Sequence, residues 1–261
     1  MLKTRIIPVV CYRGNEAFKG KGFKSWRSTG SVMSAVKVHA RRGVDELVLL
    51  DIGATPNGRE PDFDLVRNLA GECFCPLTVG GGIKTVEHFR LALANGADKV
   101  AICTASIEQT SLIEQAAQRF GNQAVVVSID VVGSKHVAGR AGQQVFLHRC
   151  PVAFAREVES RGAGEILLNS VERDGTMLGY DLDLIARVSS AVNIPVIACG
   201  GAGCYEHLHQ GLLAGAHAVA AGALFDFTAA TPAQAALFLH QRGVPVRLDH
   251  VAQSARKSLS Q

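Results

Sequence analysis

The chain has 261 residues, of which 48% are apolar and 19% charged, so it can bury a large core and wholesale disorder is excluded. The net charge of +4 suits anionic small molecules, but no basic stripe indicates nucleic-acid binding. No apolar run approaches the roughly 18 residues of a membrane helix, and the amino terminus has no cleavable signal pattern. Seven cysteines without CxxC pairs favour a reduced compartment, so we expect a cytoplasmic protein with no membrane partner.

Alternating strand and helix patterns run along the whole chain. Apolar runs predict eight strands, over residues 5–11, 46–51, 77–79, 99–103, 125–130, 165–169, 196–199 and 218–222. Helical patterns follow them, over residues 31–43, 63–70, 86–94, 106–119, 152–161, 182–190, 205–214 and 232–242. We interpret residues 12–29 as a long basic loop that acts as a lid, with Phe18, Phe23 and Trp26 for packing. Residues 133–146 predict a small hairpin.

Several landmarks recur at a constant separation of 119 residues. The motif PLTVGGGI, residues 76–83, corresponds to PVIACGGAG, residues 195–203. Three single pairs share the offset: Glu46 with Glu165, Gly96 with Gly215, and Cys11 with Asp130. We therefore predict two halves of one duplicated plan, with four strands each.

The strands are aliphatic on both faces, which predicts a parallel sheet covered on both sides. Right-handed crossovers then close eight strand–helix units into an α/β fold of the (β/α)8 (TIM) barrel type, which typically takes about 250 residues. We predict one domain over residues 1–247 and a polar, disordered tail over residues 248–261.

Candidate functional residues follow the strands, at the carboxyl-terminal face where (β/α)8 barrels hold their sites. The glycines of residues 80–82 and 200–201 precede helix starts, and such backbone N–H groups bind phosphate. Two such sites half a barrel apart predict a substrate with a phosphate at each end. Glycine for tight turns alone is the competing interpretation.

Three carboxylates stand at the same face. Asp51, Asp130 and Asp174 end strands or begin loops, where they can act as acid, base or ribose anchor. Loop capping competes for Asp174, because DGT is a good turn sequence. Lys19, in the predicted lid, can neutralise phosphate or developing negative charge, although a lone lysine is often only solvated.

A set of opposite charges stands at the other end of the barrel. Arg5, Glu46, Lys99 and Glu165 each start an apolar strand. Two bases and two acids that converge there predict a closed ring of salt bridges at the barrel floor. Stabilising charge is common at this face, so structure alone is the competing interpretation.

These motifs together resemble the cyclase subunit of imidazole glycerol phosphate synthase. The resemblance covers residues 2–247 and rests on IIP, DELVLLDI, PLTVGGGIKTVE, GADKVAI, RGAGEILL, RDGT with GYD, PVIACGGAG and GVPVR. It implies a glutaminase partner at the barrel floor and no cofactor or metal. It also implies that ammonia crosses the barrel to a bis-phosphorylated ribulosyl substrate, giving imidazole glycerol phosphate and an aminoimidazole ribotide.

The resemblance also implies roles for single residues. Arg5, Glu46, Lys99 and Glu165 match the family's ammonia gate, and Asp98 the position that faces the glutaminase. Asp130 and Lys19 match a catalytic aspartate and a loop lysine, and Cys11 occupies the other catalytic position. The phosphate- and substrate-binding positions are Asp51, Gly81, Gly82, Cys103, Thr104, Asp174, Gly175, Gly200, Gly201, Gly222 and Ala223.

Departures from the family cluster at the mouth. Cys11 replaces an aspartate, and a thiol with a pKa near 8.5 is mostly neutral at pH 7. Cys103 replaces an asparagine, Cys199 a serine and Asn169 a threonine, and LHRCP replaces a glycine-and-threonine loop before the fifth helix.

A family-like floor under an altered mouth is typical of cyclase-like paralogues associated with surface polysaccharides. We therefore interpret the chain as one that supplies ammonia, with its glutaminase, to a third enzyme that amidinates an amino sugar. A genuine histidine-pathway cyclase is the alternative. A thiolate metal site at Cys11, Cys103 and Cys199, a non-catalytic scaffold, and a phosphoribosyl isomerase of the same duplicated barrel type also stay open.

Overall fold

A computed structural model describes residues 3–248 as alternating strands and helices. The strands in this range are β1 (Arg5–Arg13), β2 (Glu16–Lys21), β3 (Lys24–Ser31), β4 (Leu47–Asp51), β5 (Leu77–Gly80), β6 (Lys99–Ile102), β7 (Val125–Val132), β8 (His136–Gly139), β9 (Gln144–Phe146), β10 (Glu165–Ser170), β11 (Val196–Cys199) and β12 (Ala218–Ala221). The helices are α1 (Val32–Arg41), α2 (Phe63–Ala70), α3 (Val86–Ala94), α4 (Thr104–Glu108), α5 (Ser111–Phe120), α6 (Pro151–Ser160), α7 (Leu182–Ser189), α8 (Tyr205–Leu213), α9 (Ala223–Phe227) and α10 (Pro232–His240).

Eight of these strands close into a parallel barrel. They pair in the order β1, β4, β5, β6, β7, β10, β11 and β12, and β12 pairs again with β1. The predicted (β/α)8 barrel is therefore confirmed. The duplication of its two halves stays a prediction, although the offset of 119 residues also separates Thr104 and Ala223, the first residues of α4 and α9.

Helix boundaries follow from capping residues in the sequence. The side chains of Asp62, Thr85, Asp181 and Thr231 each accept a hydrogen bond from the backbone N–H three residues later, at the starts of α2, α3, α7 and α10. The apolar stripes of the helices pack on the outward side chains of the barrel strands. This outer layer is the main core of the molecule.

The inward side chains of the barrel strands change in character from floor to mouth. Along β1, every second residue faces inward, which gives Arg5 at the floor, Ile7 and Val9 in the middle, and Cys11 at the mouth. The same alternation on the other strands fills the barrel interior with a second apolar cluster: Ile7, Val9, Cys11, Val48, Ala101, Val126, Leu167, Ile197, Cys199, Ala218 and Ala220. A dry, apolar interior therefore separates a charged floor from a polar mouth.

The prediction of a long loop over residues 12–29 is wrong. In the structure β1 continues to Arg13, and β2 and β3 form an antiparallel hairpin against it. Gly22 and Phe23 turn the hairpin with φ angles of +60° and +58°, and positive φ at both central residues is what a tight hairpin turn requires. Phenylalanine is rare in that conformation, so residues 22 and 23 do not form an ordinary turn motif.

Two further elements differ from prediction. The single helix predicted over residues 106–119 is two helices, α4 and α5, because Gln109 between them is extended at φ −141° and ψ 78°. Thr104, predicted in a turn, is the first residue of α4. The predicted hairpin after β7 is confirmed as β8 and β9.

Two expectations concern the ends of the chain and its surroundings. Of the predicted disordered tail, only Leu248 belongs to the part that the structure describes, and the rest lies outside it. Across residues 3–248, no helix has the length and apolar character needed to cross a membrane.

Candidate active site

A cavity of about 310 Å³ opens at the mouth of the barrel, where the carboxyl ends of the strands meet. Candidate residues from both halves of the chain line it: Cys11, Lys19, Asp51, Gly81, Gly82, Cys103, Thr104, Asp130, Asp174 and Gly222. Phe23 and Trp26 of the β2–β3 hairpin also line the cavity. The hairpin therefore covers the mouth as the predicted lid would, although it is a sheet extension and not a loop.

Asp130 is the carboxyl group best suited to proton transfer. Its side chain is buried near the mouth end of β7, where the hydroxyl of Ser128 donates to Oδ1 at 3.2 Å and the thiol of Cys103 lies 3.4 Å from Oδ2. Burial raises the pKa of Asp130 to about 6, although these two hydrogen bonds act in the opposite direction. A group that titrates near neutral pH can both accept and donate a proton in one reaction cycle.

The thiols around the cavity are neutral. Burial raises the pKa of Cys11 to about 12; Lys19 acts in the opposite direction, and the nearby carboxylates of Asp174, Asp226 and Asp130 add to the effect of burial. Burial also raises the pKa values of Cys103 and Cys199 well above the ordinary range. A thiolate metal site at these cysteines finds no support, since no cluster of three or more His, Cys, Asp or Glu within residues 3–248 has the arrangement to hold a metal ion.

Lys19 and Asp174 form a buried ion pair across the mouth. Lys19 Nζ donates to Asp174 Oδ1 at 2.8 Å, and both residues are less than a tenth exposed. Burial alone would lower the pKa of Lys19, but Asp174 raises it, so the lysine stays charged. The ammonium group lies 3.1 Å from the position that a Cβ at Gly222 would take, so only glycine leaves it this room. Lys19 is thus not a solvated loop lysine.

The hairpin that carries Lys19 rests on the loop after β10. Gly22 N–H donates to the carbonyl of Asp174 at 2.8 Å. Gly175, at φ +71°, lies so close to the Gly20 carbonyl that a Cβ would stand 2.0 Å from that oxygen. The absence of a side chain at Gly175 therefore lets the hairpin approach this loop closely, and the contact keeps Lys19 over the mouth.

The two predicted phosphate sites differ in how they reach the cavity. In the first half, Asp51 organises the wall: its Oδ1 accepts from Gly53 and Ala54 N–H at 2.9 and 3.1 Å, and its Oδ2 pairs with Arg59 at 2.7 Å. Thr104 Oγ1 accepts from Arg140 N–H at 2.8 Å. Asp51 is thus occupied by partners from its own chain.

In the second half, Asp174 and Gly222 are the predicted phosphate- and substrate-binding residues that line the cavity. The remaining candidates are not among its lining residues: Gly175, Gly200, Gly201 and Ala223. A phosphate site at each end of the mouth therefore stays a prediction.

At the floor the four predicted charges meet in a closed ring. Arg5 pairs with Glu46 at 2.5 Å and with Glu165 at 2.9 Å. Lys99 Nζ pairs with the same two carboxylates, at 2.9 and 3.0 Å. Thr78 Oγ1 donates to Glu46 Oε1 at 2.7 Å. Both carboxylate oxygens of Glu46, whose side chain is 1% exposed, therefore have partners. Burial raises the pKa of Glu46, but Lys99 and Arg5 outweigh it and hold the carboxylate ionised.

Asp98 lies beside this ring on the exposed rim of the floor. Its carboxylate accepts a hydrogen bond from Leu77 N–H at 2.8 Å, at the start of β5. Phe74, three residues before Leu77, is 88% exposed. The floor therefore presents a carboxylate and a bare aromatic ring next to the ion-pair ring.

Sequence reasoning missed several residues that complete the site. Ser128 bonds Asp130, and Thr78 bonds Glu46. Asn169 on β10, noted in the sequence as a departure from the family, lies opposite Asp130 in the strand register. The Oδ1 atom of Asn169 is buried without a hydrogen-bond partner in the described part of the chain. Ser128 could have been found by counting two residues back from Asp130 along a strand, but nothing local marks Thr78 or Arg59.

The fold and site together define a (β/α)8-barrel protein with an acid–base cavity at the mouth, a closed ion-pair ring at the floor and an apolar interior between them. The family model described as "Histidine biosynthesis protein" matches residues 5–231. Because this match spans most of the sequence, the chain belongs to that family.

Three relatives that match over their entire length are named imidazole glycerol phosphate synthase subunit HisF. The protein of Chlorobium phaeobacteroides is 43% identical over 252 residues, which cover 95% of this chain and 100% of the relative. The proteins of Chlorobium limicola and Chlorobium luteolum are 42% and 43% identical, over 251 and 254 residues, with the same shares covered. The resemblance to this cyclase subunit is thereby confirmed.

Proposed function

We propose that the chain is the cyclase subunit of an imidazole glycerol phosphate synthase. A glutaminase docks on the floor, ammonia passes through the barrel, and it reacts at the mouth with a bis-phosphorylated ribulosyl substrate. The observation that carries the proposal is the match over 95% of the chain to relatives named as HisF. These names favour our alternative interpretation of the sequence and give no support to amidination of an amino sugar.

The floor supports a route for ammonia. The ring of Arg5, Glu46, Lys99 and Glu165 closes the lower end of the barrel. Lys99 holds both carboxylates through one ammonium group, whereas Arg5 uses two guanidinium nitrogens, so Lys99 is the member that we expect to open the ring at least cost. Above the ring, an apolar cluster of inward side chains fills the middle of the barrel, and such an interior favours neutral ammonia over the charged ammonium ion.

The mouth supports the chemistry. Asp130, with its pKa near 6, is the group we assign to proton transfer during ring closure. Lys19 supplies a buried positive charge close to Gly222, where we propose that one phosphate of the substrate binds. The other phosphate would bind at Gly81, Gly82 and Thr104, which line the opposite side of the cavity.

Partner docking is supported by the rim of the floor. Exposed aromatic rings are enriched at protein–protein interfaces, and polar residues form the rim around them. Phe74 and Asp98 are the residues we expect to contact the glutaminase.

Cys11 favours a second candidate. The family's aspartate would add a carboxylate here, whereas the buried thiol of Cys11 is neutral, with its pKa raised to about 12. If cyclisation needs that carboxylate, the chain would instead pass ammonia to another enzyme, such as one that amidinates an amino sugar.

One experiment separates the two candidates. The purified chain and a Cys11→Asp variant receive excess ammonium and the bis-phosphorylated ribulosyl substrate, and loss of substrate is followed. Turnover by the native chain is the result we expect. If the native chain is inactive while the variant turns over, the cyclase proposal is wrong for the native protein. Inactivity of both would favour a different ammonia acceptor.

A further inference from the structure

Two cysteines stand on either side of the exposed Phe74, at the point where the chain enters β5 from the floor. Cys73 and Cys75 are both half-buried, unlike Cys11 and Cys199 in the mouth. The proposed cyclase reaction uses neither of them. Their nearest charged neighbours include the carboxylates of Glu46 and Asp98, both of which raise the pKa of Cys75.

The backbone brings the two thiols together. Cys73 and Cys75 lie two residues apart, and their side chains turn toward each other while the ring of Phe74 between them is exposed. The chain bends at Cys75, and the two Sγ atoms lie 3.5 Å apart. A disulfide needs a separation of about 2.05 Å, so an approach of about 1.5 Å would join them.

The pair divides into a nucleophile and a resolving thiol. The hydrogen bond from Cys75 lowers the pKa of Cys73 to about 7, which leaves a large thiolate fraction at neutral pH. The same hydrogen bond raises the pKa of Cys75, so that thiol stays protonated until its partner has reacted. Half-buried thiols are also accessible to small oxidants, whereas Cys11 and Cys199 of the mouth are buried.

We propose that Cys73 and Cys75 form a redox-active dithiol that exchanges with low-molecular-weight disulfides and closes to an intrachain disulfide. The Cys73 thiolate attacks one sulfur of the small disulfide, which forms a mixed disulfide and releases the first small thiolate. Cys75 then loses its proton to water and attacks Cys73 Sγ, which releases the second. The two protein thiols are oxidised, and one small disulfide is reduced to two thiols.

Oxidised glutathione is the probe that tests this proposal on the full chain. After reaction, free thiols are alkylated and the protein is digested with trypsin, which cuts after Arg67 and Lys84 and releases residues 68–84 with these two cysteines and no others. Mass spectrometry then distinguishes reduced, glutathione-bearing and disulfide forms. Cys150→Ser and Cys204→Ser are matched controls, since both cysteines are exposed and neither forms a close thiol pair like that of Cys73 and Cys75.

We expect the native fragment to carry an intrachain disulfide that dithiothreitol reverses, and the control variants to give the same yield. In Cys75→Ser, the fragment should stop at one glutathione on Cys73. Circular dichroism checks that each variant is folded. A native fragment that stays reduced while Cys150 reacts, or that keeps glutathione instead of closing, would overturn the proposal.

Discussion

The floor and the mouth of this barrel handle buried charge in opposite ways. At the floor, two cations and two carboxylates satisfy one another in a closed ring, and the pKa of Glu46 is lowered. At the mouth, Asp130 is buried without a cation bonded to it, and its pKa is raised to about 6. A paired carboxylate is a fixed structural charge, whereas an unpaired buried one titrates where catalysis needs it.

The difference in charge pairing implies different functions for the floor and the mouth of the barrel. A ring of satisfied charges can close an opening and hold it, but it is a poor source or acceptor of protons. The carboxyl group of Asp130, which lies beside neutral thiols, has the opposite properties: it exchanges protons readily but does not close an opening. Variants at the two ends should therefore fail in different assays.

The largest effect is expected at the mouth. Asp130→Asn keeps the shape but removes the proton-transfer group, so ammonium-dependent cyclisation should fall by about 10²–10⁴-fold. Steady-state kinetics of substrate loss measures this. Asp183→Asn, the same chemical change on the exposed face of α7, serves as the control and should leave the rate unchanged. An Asp130→Asn variant that keeps more than a tenth of the native rate would remove Asp130 from its assigned role.

The next effect is on stability at the floor. Glu46→Gln removes one of the two carboxylates that Arg5 and Lys99 share, so Glu165 alone in the ring balances their two positive charges. Removing one partner of a buried ion pair costs about 3–5 kcal/mol, so the free energy of unfolding should fall by that order. Urea denaturation measures it, with Asp183→Asn again as the control. A loss within the error of the control would mean that water already screens the ring.

The third prediction uses pH. The pKa of Asp130 is raised in the folded chain, from its usual 3.8 to about 6, so its contribution to stability is full below pH 4 and is lost as the pH rises through 6. The stability of Asp130→Asn relative to the native chain should therefore rise by about 2 kcal/mol between pH 4 and pH 7. Urea denaturation at both pH values tests this. A constant difference would show that Asp130 titrates normally.

The smallest effect is expected at Cys11. Because this thiol is neutral, Cys11→Ser replaces one uncharged hydrogen-bonding group by another, and the ammonium-dependent rate should stay within about threefold of native. A hundredfold loss of rate would instead identify a thiolate that takes part in the reaction.

The sequence was sufficient to predict those features that follow from strand alternation. Arg5, Glu46, Lys99 and Glu165 each stand at the start of an apolar run, and the barrel topology alone brings such residues to one end. Asp130 was found in the same way, at the mouth end of an apolar strand.

Features that depend on distant contacts could not be predicted. The ion pair between Lys19 and Asp174 joins residues 155 positions apart, and it exists because an unexpected hairpin folds over the mouth. The raised pKa of Asp130 depends on the burial that the closed barrel creates, which no local pattern shows. The short helices α4 and α9 have five residues each and are too short for a helical period to appear.

The most direct test of the division between floor and mouth supplies ammonia in two ways. Glu165→Gln and Asp130→Asn are each assayed with free ammonium, and with glutamine and a glutaminase subunit of imidazole glycerol phosphate synthase. We predict that the floor variant Glu165→Gln loses activity with glutamine but keeps the native rate with ammonium, whereas Asp130→Asn loses both. Equal losses of Glu165→Gln in the two assays would contradict the account, because the ring would then serve the chemistry or the fold and not the passage of ammonia.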